Sequence, residues 1–138
     1  ARIILFDQIT RNAFRHCAEA FAYDNLVAEV LKELFQLQNK DDDIISNEVL
    51  LEFVTNPEIT FCDCFFVAIA CEHQEDPLFW NVDQRIFEEM TDRWPDGKNS
   101  LKVECAIAES HYQVLKRFGR YPHRNGVKGR KHTEEEIA

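Results

Sequence analysis

The stretch LKVECAIAESHYQVLKRF, residues 101–118, decides the fold class. Leu101, Cys105, Ala108, Tyr112, Leu115 and Phe118 recur at intervals of three and four, the spacing that puts side chains on one face of an α-helix. Asn99 or Ser100 can cap its start, and Gly119 stands where a helix commonly stops. Upstream, Pro95-Asp96-Gly97 is a turn. Before it Val82, Ile86 and Met90 recur at i+4 on a helix that Asp76-Pro77 opens and that leads to Trp94. Residues 61–73 are apolar nearly all round, which predicts a central helix.

The same reading extends to both ends. Ser46 can cap a helix with Val49, Leu50 and Phe53 inward, ending near Asn56-Pro57. Residues 39–43 form a polar, acidic loop. Asp24 is the expected N-cap of a helix over 24–38, with Leu26, Val30, Leu34 and Leu37 on one stripe and Val27 and Leu31 beside them. Residues 17–22 make a short helical turn, and 1–8 the tail of a buried helix. At the other end Thr133-Glu134-Glu135-Glu136 fits a capping box that starts a last helix. Successive helices on short links predict antiparallel pairs, and so an all-α domain spanning 1–138, stacked as a bundle or short solenoid.

Composition agrees. Hydrophobic residues make up 45% of 138 positions, with eleven Phe, enough for a packed interior. Four Gly and four Pro are few breakers, which favours long helices. Cys17, Cys62, Cys64, Cys71 and Cys105 are an odd set without framework spacing. Reduced thiols are expected, and with them an intracellular, reducing compartment, either the cytoplasm or the mitochondrial matrix. Cys62-x-Cys64 and Cys71-x-His73 match no standard zinc spacing, so no metal site is expected. No apolar run is long enough for a membrane span. No Walker loop, dinucleotide fingerprint or G-x-S-x-G elbow occurs, and no cofactor is expected. The first residues already lie inside a hydrophobic pattern and the last ones begin a new helix, so the chain is expected to be trimmed at both ends.

The net charge of −9 argues against a general nucleic-acid binder. Yet residues 116–132 hold seven Lys or Arg and no Asp or Glu. Within them runs Phe118-Gly119-Arg120-Tyr121-Pro122-His123-Arg124-Asn125-Gly126-Val127-Lys128-Gly129-Arg130, which carries three of the four glycines. Glycine serves positive φ or close approach, and guanidinium forks suit carboxylate or phosphate. Arg120, Arg124, Asn125 and Arg130 are therefore candidate anion ligands. The competing reading is that they tie the loop to helix ends and neighbouring acids.

A second constellation is Asp7-Gln8-Ile9-Thr10-Arg11-Asn12. On a helix Asp7 faces Arg11 and Gln8 faces Asn12 at i+4. Either this is a satisfied cluster closing a buried helix, or Asp7, Arg11 and Asn12 line one pocket with Arg124 and Asn125. His73, Glu75, His111 and His123 are the candidate acid–base groups. A histidine beside apolar residues is more often a hydrogen-bonded core residue than a catalyst.

These segments together resemble a known family. Asp7-Gln8-x-x-Arg11-Asn12 with Phe14-Arg15, Ala20-Phe21-Ala22-x-Asp24, His73-x-Glu75, His111, and Phe118 through Asn125 followed by Gly129-Arg130 and Thr133-x-Glu135 are similar, in order and spacing, to the family catalogued as domain of unknown function 924. The resemblance covers nearly the whole chain. It implies a TPR-like, all-α superhelical fold and no assigned reaction. Gln74 stands where a small Ser is common in that family, and Lys128 where Leu is common. The expected function is a binding or scaffold module, or a subunit of a larger assembly, with a polar anion site and a protein partner. The alternative is a small enzyme acting on a phosphorylated or carboxylated metabolite.

Overall fold

The computed structural model describes residues 1–37 and 47–137. Every regular element among them is helical. A π-helical turn, Ile4–Ile9, runs into α1 (Thr10–Ala13), and a 3-10 turn, Ala18–Phe21, leads to α2 (Asp24–Phe35). Then come α3 (Asn47–Thr55), α4 (Phe61–Glu72), α5 (Pro77–Arg93) and α6 (Lys98–Phe118). A 3-10 turn, Pro122–Arg124, lies in the loop before α7 (Glu134–Ile137).

The chain is all-α because its apolar residues can be buried only at helical spacing. On α5, Phe79, Val82, Ile86, Phe87 and Met90 are buried, and α4, α6 and α3 all pack against that helix. Each such side chain taken out of water contributes about 1.5–3 kcal/mol. Asp76 caps α5 by accepting from Leu78 N at 3.1 Å, with Pro77 in the first turn, as its sequence predicts. Thr60 and Asp63 make a reciprocal capping box on α4. That helix is exposed at Cys62 and Asp63 and buried mainly over its second half, so it shares the centre with α5. On α6 the expected stripe faces inward: Leu101, Ala108 and Leu115 are buried, and Tyr112 stacks on Trp80 with ring centroids 3.8 Å apart.

Three local expectations change. The helix α6 begins at Lys98, so Asn99 and Ser100 lie inside its first turn and neither caps it; the turn Pro95–Gly97 runs straight into the helix. Asp24 is the first residue of α2 rather than its cap, because its carboxylate is drawn to Arg11 and Lys128. The buried stripe of α2 is Val27, Leu31 and Phe35, while Leu26 is exposed and Val30 and Leu34 sit at the core's margin. That helix stops at Phe35, where Gln36 turns left-handed (φ 53°) and Leu37 N donates back to Lys32 O. Gln38, the loop 39–43 and the Ser46 cap lie outside the described residues.

No helix among the described residues is long and apolar enough to cross a membrane.

Candidate functional site

The first helix supplies a buried carboxylate. Asp7 lies in the π-helical turn, a distortion often found where a helix presents a functional group. It is fully buried and accepts from Arg11 Nε at 2.8 Å, Gln8 Nε2 at 2.6 Å and His73 Nδ1 at 2.8 Å. Burial works to raise its carboxyl, but the His73 hydrogen bond and the His73 and Arg11 charges overcome that and hold it below its ordinary value. Ionised, Asp7 can only accept, so His73 carries a proton on Nδ1, and its Nε2 takes no part in that bond. The Asp7–Arg11 pair at i+4 is as the sequence predicts. Asn12 donates instead to Gln8 O and accepts from Arg15 Nη2, at the surface.

The end of α4 supplies the second carboxylate. Glu72 is buried and contacts Nδ1 of His111, which projects from α6. Tyr121 fixes the same turn by donating its hydroxyl to Glu72 O at 2.7 Å. Thus two imidazoles, His73 and His111, are each held through Nδ1 by a carboxylate, an arrangement that orients the other ring nitrogen. Near Glu72 lies Asp83, fully buried on α5, its Oδ1 without a hydrogen-bond partner among the described residues. Burial, helped by the Glu72 charge, pushes its carboxyl up to about 8.

The glycine-rich loop supplies the lid of the site. Gly119 ends α6 with φ +66°, a conformation that costs other residues strain; a Cβ there would touch nothing, so the need is conformational rather than steric. Arg124 is buried and donates from Nη1 to His73 O at 2.8 Å. Its guanidinium lies 4.5 Å from the Tyr121 ring centroid and 5.1 Å from that of Phe21. Its Nε is buried without a partner among the described residues. Desolvation and the nearby Arg11 charge both lower its affinity for its proton.

Several expected ligands are anchors. Arg130 makes a fork to Glu75 at 2.7 and 2.8 Å, and Glu75 also accepts from Tyr121 N at 2.8 Å. Burial would raise the Glu75 carboxyl, but these bonds and the Lys128 charge bring it down to about 2. Arg120 forks onto Glu136 at 2.6 and 3.0 Å, and Asn125 Nδ2 donates to the same carboxylate at 2.9 Å. Thr133 and Glu136 form the reciprocal capping bonds expected of them. Lys128 reaches Asp24 at 3.0 Å. These acids hold the loop in one shape and leave Arg120, Asn125, Arg130 and Glu75 in anchoring roles.

What converges is a pocket of about 230 Å³ lined by Arg11, Phe21, His73, His111, Tyr121, His123 and Arg124. Five of the residues marked out by the sequence meet there, and Asp7 stands directly behind them. Asp7 and Glu72 are not among the lining residues; they bond to His73 and His111, which are. Burial and the Arg124 and His111 charges lower the His123 pKa. Sequence reasoning gave Glu72 and Asp83 no role, and took Phe21 and Tyr121 only as parts of the quoted motifs. Asp83 did leave a signal: it stands at i+4 from Phe79 and i−4 from Phe87, on a stripe otherwise apolar. A larger cavity of about 500 Å³ near Ile3, Val30 and Phe53 gathers no histidine. Among the described residues no three His, Cys, Asp or Glu side chains are placed to hold a metal ion.

A family model described as "Bacterial protein of unknown function (DUF924)" matches residues 1–138. No curated protein and no solved structure matches the chain.

Proposed function

The chain belongs to the DUF924 family of bacterial proteins of unknown function, and from that premise we propose that it is a small enzyme doing acid–base chemistry on an anionic metabolite. The observation that carries this reading is the opening of two carboxylate–histidine pairs, Asp7–His73 and Glu72–His111, onto one pocket beside Arg11 and Arg124. Guanidiniums bind and orient the anion. His73, with Nδ1–H held by Asp7, offers Nε2 as a base; His111, braced by Glu72, is placed to return the proton as an acid. Phe21 and Tyr121 shield the guanidiniums from water, which strengthens their pull on a bound charge.

The test is turnover of a panel of small phosphorylated and carboxylated metabolites by the full chain, followed by NMR. Turnover that disappears in both His73→Gln and His111→Gln, with far-UV circular dichroism unchanged, supports the reading. Turnover that survives both substitutions refutes it.

A second reading, a binding or scaffold module in a larger assembly, is supported by Val103 and Ile107. They stand one turn apart on α6 and are 59% and 42% exposed. The TPR-like stack of antiparallel pairs draws support from α4, α5 and α6, which follow one another on short links and pack in sequence.

A further inference from the structure

We propose that the anion this pocket takes is a phosphoryl group, as free phosphate or as the terminal group of a small monoester, rather than a carboxylate; this rests on the function proposed above. Arg11 comes from the first helix and Arg124 from the loop, and both guanidiniums lie over the same Phe21 ring, at 5.2 and 5.1 Å. They share one nearby counter-charge, Asp24, at 2.8 Å from Arg11 and 3.8 Å from Arg124. Two like charges gathered on one ring are relieved by an anion bound beside them.

The number of donors then separates the two kinds of anion. A planar carboxylate has two oxygens and is satisfied by one guanidinium fork. A phosphoryl group has three terminal oxygens arranged tetrahedrally and carries up to two negative charges near neutral pH. The pocket presents two guanidiniums and three imidazoles from four chain segments, and no carboxylate lines it. Arg124, one of the two guanidiniums, also has a buried Nε with no hydrogen-bond partner among the described residues.

The placement of the counter-charges points the same way. Around the pocket Arg11, Arg124, Lys128 and Arg130 are matched by Asp7, Asp24, Glu72 and Glu75. None of those four carboxylates lines the pocket, so the surface that faces an anion is made of guanidinium, imidazole and aromatic groups. The pocket is also small. At about 230 Å³ it has room for a phosphoryl group with a few attached atoms, below the usual range for larger ligands.

The experiment is titration of the full chain with inorganic phosphate, methyl phosphate and acetate, read by calorimetry and by the imidazole signals in NMR. Phosphate is expected to bind at least tenfold more tightly than acetate, and to move the His123 titration to higher pH. Arg11→Lys, which keeps a cation beside Asp7, is expected to weaken phosphate at least tenfold; His123→Gln removes an exposed wall residue and should weaken it several-fold. Binding of inorganic phosphate alone assigns the free anion, and equal or tighter binding of methyl phosphate assigns the monoester; both uphold the phosphoryl site. Acetate binding as tightly as phosphate, with the same imidazole signals moving, overturns the phosphoryl assignment and leaves the anion site standing. If no anion moves the His73, His111 or His123 signals, both the assignment and the anion site fall.

Discussion

Replacing Asp83 by Asn should stabilise the protein at neutral pH, by an amount that depends on pH in a defined way. The side chain is fully buried, and among the described residues its Oδ1 has no partner and its one hydrogen bond is a 3.3 Å contact from Gln84 Nε2. Burial and the Glu72 charge raise its carboxyl from 3.8 to about 8. The folded state therefore keeps a proton that the unfolded state gives up. A carboxyl raised in this way makes its full contribution below its ordinary pKa, and that contribution drains away as pH climbs towards about 8. The loss is about 1.4 kcal/mol per pH unit inside that window. At pH 7 it amounts to roughly 4 kcal/mol. Asn has the same shape and no proton to lose. Urea denaturation of native protein and Asp83→Asn at pH 5, 6 and 7 should show the difference growing in the variant's favour. The growth from pH 5 to 7 should be roughly 3 kcal/mol. A difference that stays constant across that range would refute the reasoning, since it would mean that Asp83 ionises in the fold as it does in water.

Three other substitutions probe the frame of the site. Arg124→Ala removes a buried cation bonded to His73 O and stacked on two rings, and should cost about 3–5 kcal/mol in urea unfolding; a loss below about 1 kcal/mol would contradict the packing described. Glu75→Gln breaks the Arg130 fork and should cost roughly 2 kcal/mol at pH 7. Because the folded-state pKa of Glu75 is depressed, its contribution exists above the ordinary carboxylate range and is lost as pH falls towards about 2, so the gap between variant and native protein should close in acid. Gly119→Ala should lower stability by about 1–2 kcal/mol through left-handed strain alone, seen as a reduced Tm with no change in the core.

Much of the fold was legible because its determinants are local. The α6 stripe, the Asp76-Pro77 start, the Thr133–Glu136 box and the Gly119 stop each depend on residues within a turn or two of one another. The misreading of α2 shows where locality ends. Leu26, Val30 and Leu34 make as good a stripe as Val27, Leu31 and Phe35, and only packing against α4 and the first helix selects between them.

The site divides in the same way. Asp7–Arg11 is a contact at i+4 and could be read directly. The roles of the loop arginines could not. Arg120, Arg124 and Arg130 look alike in sequence, and what separates them is which acid each meets: Glu136 for Arg120, Glu75 for Arg130, and for Arg124 a longer 3.8 Å contact with Asp24. Those partners lie up to a hundred residues away. Glu72 was hidden because it closes an apolar run whose last turn is aimed at His111, a fact set by how α4 meets α6.

The central claim is that Arg11, Arg124, His73 and His111 face one anion-binding pocket. The most direct measurement is a crystallographic map of the full chain grown with inorganic phosphate. Tetrahedral density within hydrogen-bond distance of both Arg11 and Arg124, with the free ring nitrogens of His73 and His111 turned towards it, is the expected result. A pocket holding only water at saturating phosphate, or one closed by Arg124 turned fully onto Asp24, would contradict it.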